Sequence, residues 1–203
     1  MAIVTELKEL PSIINLYITE SISESTYSSF KKEVDTKIKE IEEIHANNYK
    51  WFRNNNLDEK AYTKKPVKCV LHLSTYGGAV YDGLGICDLL EHLDNNPLFD
   101  LIVICEGKVM SCGIPILLSV KNRVCTKNTI FMIHQLTTFM VGKLEDLKED
   151  VEQSEKLQER IDNIIVSNTK ITKEQLDDWY AHKKDAFFNA QEALDLGLID
   201  QII

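Results

Sequence analysis

Apolar and polar positions along this chain repeat with two different periods, and the changes of period divide it into predicted strands and helices. Short apolar runs rich in β-branched residues predict buried strands at 13–18, 67–74, 101–105, 122–125 and 129–134. Helices are predicted at 23–49, from the glycine pair at 77–78 to about Leu93, and after Gly113. The polar, Asn-rich stretch 51–66 is predicted to be a surface loop. Strands that alternate with helices indicate an α/β fold with a largely parallel sheet.

A long charged segment, 143–168, has the pattern of one amphipathic helix. Its apolar residues lie close to helical spacing, at Leu144, Leu147, Val151, Leu157, Ile161 and Ile164. At the usual rise per residue this helix extends roughly 35–40 Å, about the width of a domain. We therefore expect it to project from the fold or to pack against another subunit. No internal repeat interrupts the chain, so residues 1–203 are predicted to form a single domain.

Composition excludes several classes of partner. The chain has 203 residues, 44% of them hydrophobic and 27% charged, as in a typical globular protein. Its net charge of −9 argues against nucleic acid as a partner, because phosphate binding needs concentrated Lys and Arg. No apolar stretch approaches the ~20 residues that cross a bilayer, and the first residues lack the pattern of a signal peptide. We therefore expect no membrane association.

The cysteines indicate a compartment rather than a site. There are five, an odd number without CxxC or His-rich spacing, at positions 69, 87, 105, 112 and 125. Most lie in apolar, strand-like runs, which is typical of buried thiols in a reducing environment. The sequence therefore predicts a cytoplasmic protein without a metal or other cofactor.

The segment 105–120, CEGKVMSCGIPILLSV, carries the strongest sign of chemistry. A predicted strand ends at its start, and an apolar helix is predicted after Gly113. Ser111 therefore stands between a strand and a helix, where free backbone N–H groups are available. The N–H of Cys112 is suited to stabilise an oxyanion that forms beside such a serine. The alternative is that Ser111 only caps the helix, which is the commoner role for serine there.

A glycine pair, Gly77-Gly78, follows the predicted strand at 67–74 and precedes a helix. Loops of this kind can hold phosphate, but neither GxGxxG nor GxxxxGK[ST] is present, so a nucleotide site has little support. The backbone N–H groups of this turn are equally suited to form half of an oxyanion hole. A plain tight turn is the alternative.

A base and an acid are also available. His134 ends the apolar run 130–133, where a strand delivers it to the edge of a sheet, although a lone histidine at such a position is more often structural than catalytic. Asp185 precedes the apolar pair 187–188, whereas Asp177 and Asp178 lie on a helix that looks exposed. A serine, a histidine and an aspartate satisfy the logic of a serine hydrolase.

Three motifs in this order resemble the ClpP family, the proteolytic subunits of the ATP-dependent Clp protease. They are the spacing of Gly107, Ser111 and Gly113, the MIHQ of 132–135, and KDAFFNAQEALDLGLID near the carboxyl end. The resemblance implies that Ser111 is the nucleophile, His134 the base and Asp185 the acid that orients it. It also implies oxyanion donors at the N–H groups of Gly78 and Cys112.

The resemblance further implies an architecture and partners. The expected fold is a crotonase-like, ClpP-type spiral of ββα units in which the helix at 143–168 is a protruding handle. Seven subunits are expected per ring, with two rings stacked and an AAA+ unfoldase as partner. The substrates implied are unfolded proteins or peptides, which bind as an added strand. The residues implied to line that groove are Gly77, Ala79, Val80, Gln135 and Leu136.

The chain departs from the family pattern at three places near these residues. The usual S-P-G-G is Thr75-Tyr76-Gly77-Gly78, and Leu136 replaces a proline. Lys184 replaces the arginine before the aspartate and loses its bidentate geometry. Two other functions stay open: an inactive or regulatory ring subunit, and an acyl-CoA enzyme of the crotonase type.

Overall fold

The apolar runs of the sequence become the strands of one sheet, and the amphipathic segments become helices packed on it. The structure is a computed structural model that describes residues 6–57, 62–182 and 184–203. The strands are β1 Ile13–Ile18, β2 Val67–Thr75, β3 Phe99–Met110, β4 Arg123–Cys125, β5 Ile130–Ile133, β6 Ala186–Phe188 and β7 Gln201–Ile202. The helices are α1 Glu24–Asn54, α2 Val80–Asp94, α3 Gly113–Leu118, α4 Leu144–Asn168, α5 Lys173–Ala181 and α6 Ala190–Asp195.

The main path of the sheet runs in the order β1-β2-β3-β4-β7, and all of these pairs are parallel. β5 pairs in parallel with β3, and β6 pairs antiparallel with β5. The core lies between the sheet and the helices, and includes the fully buried Leu71, Val103, Ile86, Leu90 and Ile116. The predicted α/β fold with a largely parallel sheet is confirmed.

β3 is the strand that positions the serine, and it is longer than the predicted strand at 101–105. Its first half pairs with β4, where Val103 lies opposite Arg123. Beyond Gly107, which has a φ of +70°, its second half pairs instead with β5, where Met110 lies opposite Met132. The change of partner at the glycine separates β4 from β5. The end of β3 is thereby brought beside the end of β5.

The first helix corrects the prediction of a surface loop at 51–66. α1 continues to Asn54, and half-buried aromatic residues at its end explain the extension. The ring of Phe52 lies 5.3 Å from that of Tyr62, so the polar composition concealed an aromatic cluster. Asn55 ends the helix by donating to the carbonyl of Trp51. Part of the predicted loop, 58–61, lies outside the described residues.

The long helix α4 begins and ends within one residue of its predicted bounds, but its two halves differ. Its buried residues, Asp162 and Ile165, lie in the second half. In the first half, Leu144 is 67% exposed and Val151 is 48% exposed. The apolar stripe of that half is therefore largely exposed, and Leu147 is its half-buried member. No helix among those residues combines the length and apolar character needed to cross a bilayer.

Candidate active site

Ser111 lies directly after β3, at the turn that leads into α3. Its φ of +54° is a left-handed conformation that is uncommon for a residue with a side chain. Two backbone hydrogen bonds hold it there: its N–H donates to the carbonyl of Met132 (2.9 Å), and its own carbonyl accepts from Ile114 (3.0 Å). The strained backbone is thus fixed by β5 on one side and by α3 on the other.

The Ser111 hydroxyl contacts His134. Its Oγ lies 2.7 Å from His134 Nε2, a hydrogen-bond distance for a nucleophile and its base. Cys112 occupies the N-cap position of α3, which has no side-chain cap hydrogen bond. The alternative of a helix-capping serine therefore does not describe this residue. His134 directly follows the last residue of β5 and is half-buried, so a strand delivers it to this position as the sequence predicted.

Asp185 is aligned with the histidine by strand register, without a hydrogen bond to it. β6 runs antiparallel to β5, with Ala186 opposite Ile133. One step further along this register, Asp185 falls opposite His134. Asp185 is exposed, and within the described residues no hydrogen bond joins its carboxylate to the imidazole.

The rival carboxylates are occupied elsewhere. Asp177 pairs with Lys173, and Asp178 lies 3.4 Å from the imidazole of His182, both on the exposed side of α5. Neither lies at the register position of His134. The structure therefore brings Ser111 and His134 together and leaves Asp185 as the aspartate nearest in register.

The Gly77-Gly78 turn packs directly against the serine. Gly77 has a φ of +91°, and a Cβ added to it would lie 2.7 Å from the Cβ of Ser111 and 2.9 Å from the amide nitrogen of Cys112. A Cβ on Gly78, whose φ is +150°, would lie 2.2 Å from the carbonyl oxygen of Ile22. Both positions therefore require glycine, for the backbone conformation and for the close approach. The turn is therefore part of the close packing around Ser111.

Two backbone donors beside Ser111 are free. Among the described residues, the N–H groups of Gly78 and Cys112 have no hydrogen-bond acceptor. Their neighbours are satisfied, since Gly77 donates to Thr75 Oγ1 (3.0 Å) and Ala79 to the carbonyl of Ile22 (2.9 Å). Free backbone donors at the same cavity as a serine are what an oxyanion formed there would need.

A cavity of about 300 Å³ opens onto this group. Its walls are mostly apolar and include Tyr76, Val80, Ile114, Met132, Leu136, Ile161 and Ile165, together with Gly78, Ser111, Cys112 and His134. Of the residues predicted to line a substrate groove, Val80 and Leu136 therefore face this cavity. Ala79 and Gln135 line neighbouring grooves instead, and Gly77 supports the serine from behind.

Sequence reasoning missed the contribution of α4 and of a cation to this site. Ile161 and Ile165 of α4 form one wall of the cavity. The apolar stripe of the helix was visible in the sequence, but its second half was not assigned to the site. Lys108 Nζ lies 4.4 Å from the ring centre of Tyr76, which lines the cavity, and no local sequence pattern predicts this cation–π contact.

The cysteine next to Ser111 is no rival nucleophile. Burial raises the pKa of the Cys112 thiol to about 12, so it stays protonated near neutral pH. The other four cysteines are also free and buried, and burial raises the pKa of each. In the part of the chain that the structure describes, no cluster of His, Cys, Asp and Glu is arranged to hold a metal ion.

Comparison with known proteins gives consistent matches. A model of the Clp protease family matches residues 23–203. An ATP-dependent Clp protease proteolytic subunit of Deinococcus radiodurans is 30% identical over 135 residues, which are 66% of this chain and 63% of that protein. Proteolytic subunit 2 of a Synechococcus strain is 29% identical over 135 residues, 66% of each chain. The matched region thus spans about two thirds of this chain and just under two thirds of the relatives.

A solved structure shows the same fold. A variant of ClpP1 from Listeria monocytogenes superposes with a TM-score of 0.64 at 20% identity, covering 93% of this chain and 90% of that one. The parallel sheet, its covering helices and the long α4 are therefore arranged as in ClpP, and the predicted crotonase-like, ClpP-type fold is confirmed. The family model, which matches residues 23–203, also covers most of the chain. This chain belongs to the Clp protease family.

Proposed function

We propose that this protein is a serine endopeptidase, the proteolytic subunit of a Clp-type protease. The observation that carries the proposal is the 2.7 Å contact between Ser111 Oγ and His134 Nε2, beside two unoccupied backbone donors. Acyl transfer by a serine requires at least a nucleophile, a base that activates it and an oxyanion hole.

The proposed reaction uses these groups in two steps. His134 Nε2 removes the hydroxyl proton as Ser111 Oγ attacks the carbonyl carbon of the scissile peptide bond. The oxygen becomes an oxyanion that the N–H groups of Gly78 and Cys112 stabilise. The histidine then donates the proton to the leaving amine, and an acyl-enzyme remains. Water, deprotonated by the same imidazole, releases the acid and restores the serine.

Asp185 is proposed to complete the triad by a short movement. Its carboxylate, accepting from His134 Nδ1–H, would hold the tautomer in which Nε2 is free to take a proton. The register of β5 and β6 supports this role, because its next position places Asp185 opposite His134. The exposed Asp185 and the exposed half of α4 are the parts that assembly would reorganise. We propose that the active form is an oligomer of two stacked seven-membered rings.

The proposed substrates are peptides and unfolded chains. The apolar cavity beside Ser111 suits an apolar side chain next to the scissile bond, and an extended peptide would lie between residues 78–80 and 135–137. The chain has no phosphate-binding loop, so unfolding of folded substrates is assigned to an AAA+ partner that hydrolyses ATP. The cytoplasm is the proposed location, because five unpaired buried thiols suit a reducing compartment.

A fluorophosphonate probe tests the proposal. It forms a covalent bond with activated serines, so we expect labelling of the wild type at Ser111 and none of Ser111→Ala. Cleavage of short fluorogenic peptides should be lost in the same variant. An unlabelled wild type without peptidase activity would refute the proposal and return the choice to the inactive ring subunit. Turnover of an acyl-CoA by that unlabelled protein would select the crotonase-type enzyme.

A further inference from the structure

Helix α4 carries a buried carboxylate, Asp162, which is linked through Gln158 to the segment that follows His134. Asp162 is 2% exposed, and three side chains from two helices surround it. Its Oδ1 accepts from Tyr180 Oη (2.8 Å) and from Gln158 Nε2 (2.8 Å), and its Oδ2 accepts from Lys173 Nζ (3.1 Å). A buried charge is tolerated when it is paired and hydrogen-bonded in this way. We call these four residues the α4–α5 network.

The network fixes the orientation of the Gln158 amide. Its NH₂ group donates to Asp162 and also to Tyr180 Oη (3.1 Å). Burial raises the pKa of Tyr180, so its hydroxyl keeps the proton that it donates to Asp162. With both neighbours demanding the donor end, the acceptor end of the amide, Oε1, must point the other way.

The acceptor end holds the backbone beside the active site. Gln158 Oε1 accepts from the N–H of Leu136 at 2.6 Å. Leu136 lies two residues after His134, and its side chain lines the cavity that contains Ser111. Residues 134–140 belong to no strand or helix, and this bond ties their backbone to α4. The bond therefore holds the Leu136 N–H toward α4 and fixes the backbone at this point.

We propose that Gln158 is a positioning residue for peptide hydrolysis, which sets the backbone of residues 135–137 and through it the substrate-binding edge and His134. The inference rests on the proposed peptidase function. It assigns a role to a glutamine that touches neither the serine nor the histidine. The α4–α5 network is the device that keeps its amide in the orientation required.

A double-mutant cycle isolates the hydrogen bond from general packing. Gln158→Met keeps the length of the side chain and removes the amide. Leu136→Pro removes the backbone N–H that donates to Gln158 Oε1, so the hydrogen bond under test cannot form. The matched control is Gln191→Met, since Gln191 is an exposed glutamine of α6 whose side chain donates to Asp195 at the end of the same helix.

We expect Gln158→Met to lower kcat/KM for a fluorogenic peptide about tenfold, the cost of roughly one hydrogen bond. In the Leu136→Pro background the same substitution should cost less than about twofold, because the donor is gone. Gln191→Met should retain wild-type kcat/KM. An equal loss in both backgrounds, or full activity of Gln158→Met, would overturn the inference.

Amide hydrogen exchange gives a second measurement that does not depend on activity. The peptide covering residues 135–137 should exchange faster in Gln158→Met than in the wild type, and unchanged exchange would also overturn the inference. This measurement decides the case even if Leu136→Pro fails to fold. A wild type that neither hydrolyses peptides nor reacts with fluorophosphonate refutes the proposed function instead. A wild-type level of activity in Gln158→Met refutes only the role of Gln158.

Discussion

The serine site and the first half of α4 are built in opposite ways. At the site, Ser111 and the Gly77-Gly78 turn lie in backbone contact, between strands of the sheet and the buried helix α3. The first half of α4 is charged, and its apolar residues Leu144 and Val151 are exposed. One chain therefore brings Ser111, His134 and the free N–H groups of Gly78 and Cys112 together by itself. The exposed apolar residues in the first half of α4 are the surface that another subunit would cover.

Asp185 belongs to neither region. It directly precedes β6, the short strand that follows α5 and pairs with β5. Its side chain is exposed, and no hydrogen bond joins it to His134. The third member of the proposed triad is therefore the one that a rearrangement on assembly can switch. Substitutions at the serine site should therefore impair the chemical step, whereas substitutions in the first half of α4 should impair assembly.

The largest effect is expected for Ser111→Ala. Without the hydroxyl no acyl-enzyme forms, so peptide hydrolysis should fall about a millionfold, to background. Because the contacts of Ser111 with Met132 and Ile114 are made by the backbone, the oligomer should keep its size. Peptidase assays and sedimentation velocity on the same preparation measure both. Residual activity above a trace would remove Ser111 from its role.

The next largest effect is expected for Asp185→Asn. An amide favours the wrong histidine tautomer, so turnover should fall about ten-thousandfold. The matched control is Asp178→Asn, which alters an exposed aspartate paired with His182 and should stay near wild type. Steady-state kinetics of both variants decide between them. The reverse result, with Asp178→Asn inactive and Asp185→Asn active, would show that the orienting carboxylate was wrongly chosen.

These two predictions use residues that sequence reasoning found, and the reason lies in the length of the elements. β1, β2 and α4 carry apolar patterns long enough to be recognised, and their bounds agree with the structure to within one residue. β6 and β7 have three and two residues, too few to show a period, and were not predicted. The Asn-rich end of α1 was wrongly predicted as a loop, because its aromatic contact comes from Tyr62, which lies beyond the end of the helix and outside its periodic pattern.

The site was predicted as a set of residues but not as an arrangement. The Ser111–His134 contact depends on β3 changing partner at Gly107, and no local pattern reports which strand lies beside which. The Gln158–Leu136 bond joins a side chain of a charged helix to a backbone N–H 22 residues away. A glutamine on such a helix is indistinguishable in sequence from a solvated one. Tertiary contacts of this kind are therefore outside the reach of periodicity.

A smaller effect is expected for Gly77→Ala, which tests how tightly the site is built. The added Cβ would lie within 3 Å of Ser111 and Cys112, in a backbone conformation that disfavours alanine. Displacement of an oxyanion donor should lower kcat about a hundredfold. The strain should also lower the free energy of unfolding by about 1–3 kcal/mol.

Gly142→Ala is the matched control at the base of α4. A Cβ there meets only Asp146 at 3.5 Å, an ordinary contact, so we expect wild-type kcat and a change in stability within about 0.5 kcal/mol. Denaturant titration and steady-state kinetics measure the two properties. Equal behaviour of the two alanine variants would mean that the turn is not held against the serine as described.

The smallest effect on hydrolysis is expected from the other region, in the double variant Leu144→Glu, Val151→Glu. Charges on the exposed stripe should prevent another subunit from covering it, so sedimentation should show smaller species and peptidase activity should fall about tenfold. Lys148→Glu is the control, because it changes the charge of the same helix by the same two units at an exposed polar position. It should keep both the oligomer and the activity. The fluorophosphonate should still label the double variant slowly, since Ser111 and His134 are joined within one chain. An oligomer of unchanged size in the double variant would show that this half of α4 faces solvent in the assembly, and the contrast between the two regions would then lose its explanation.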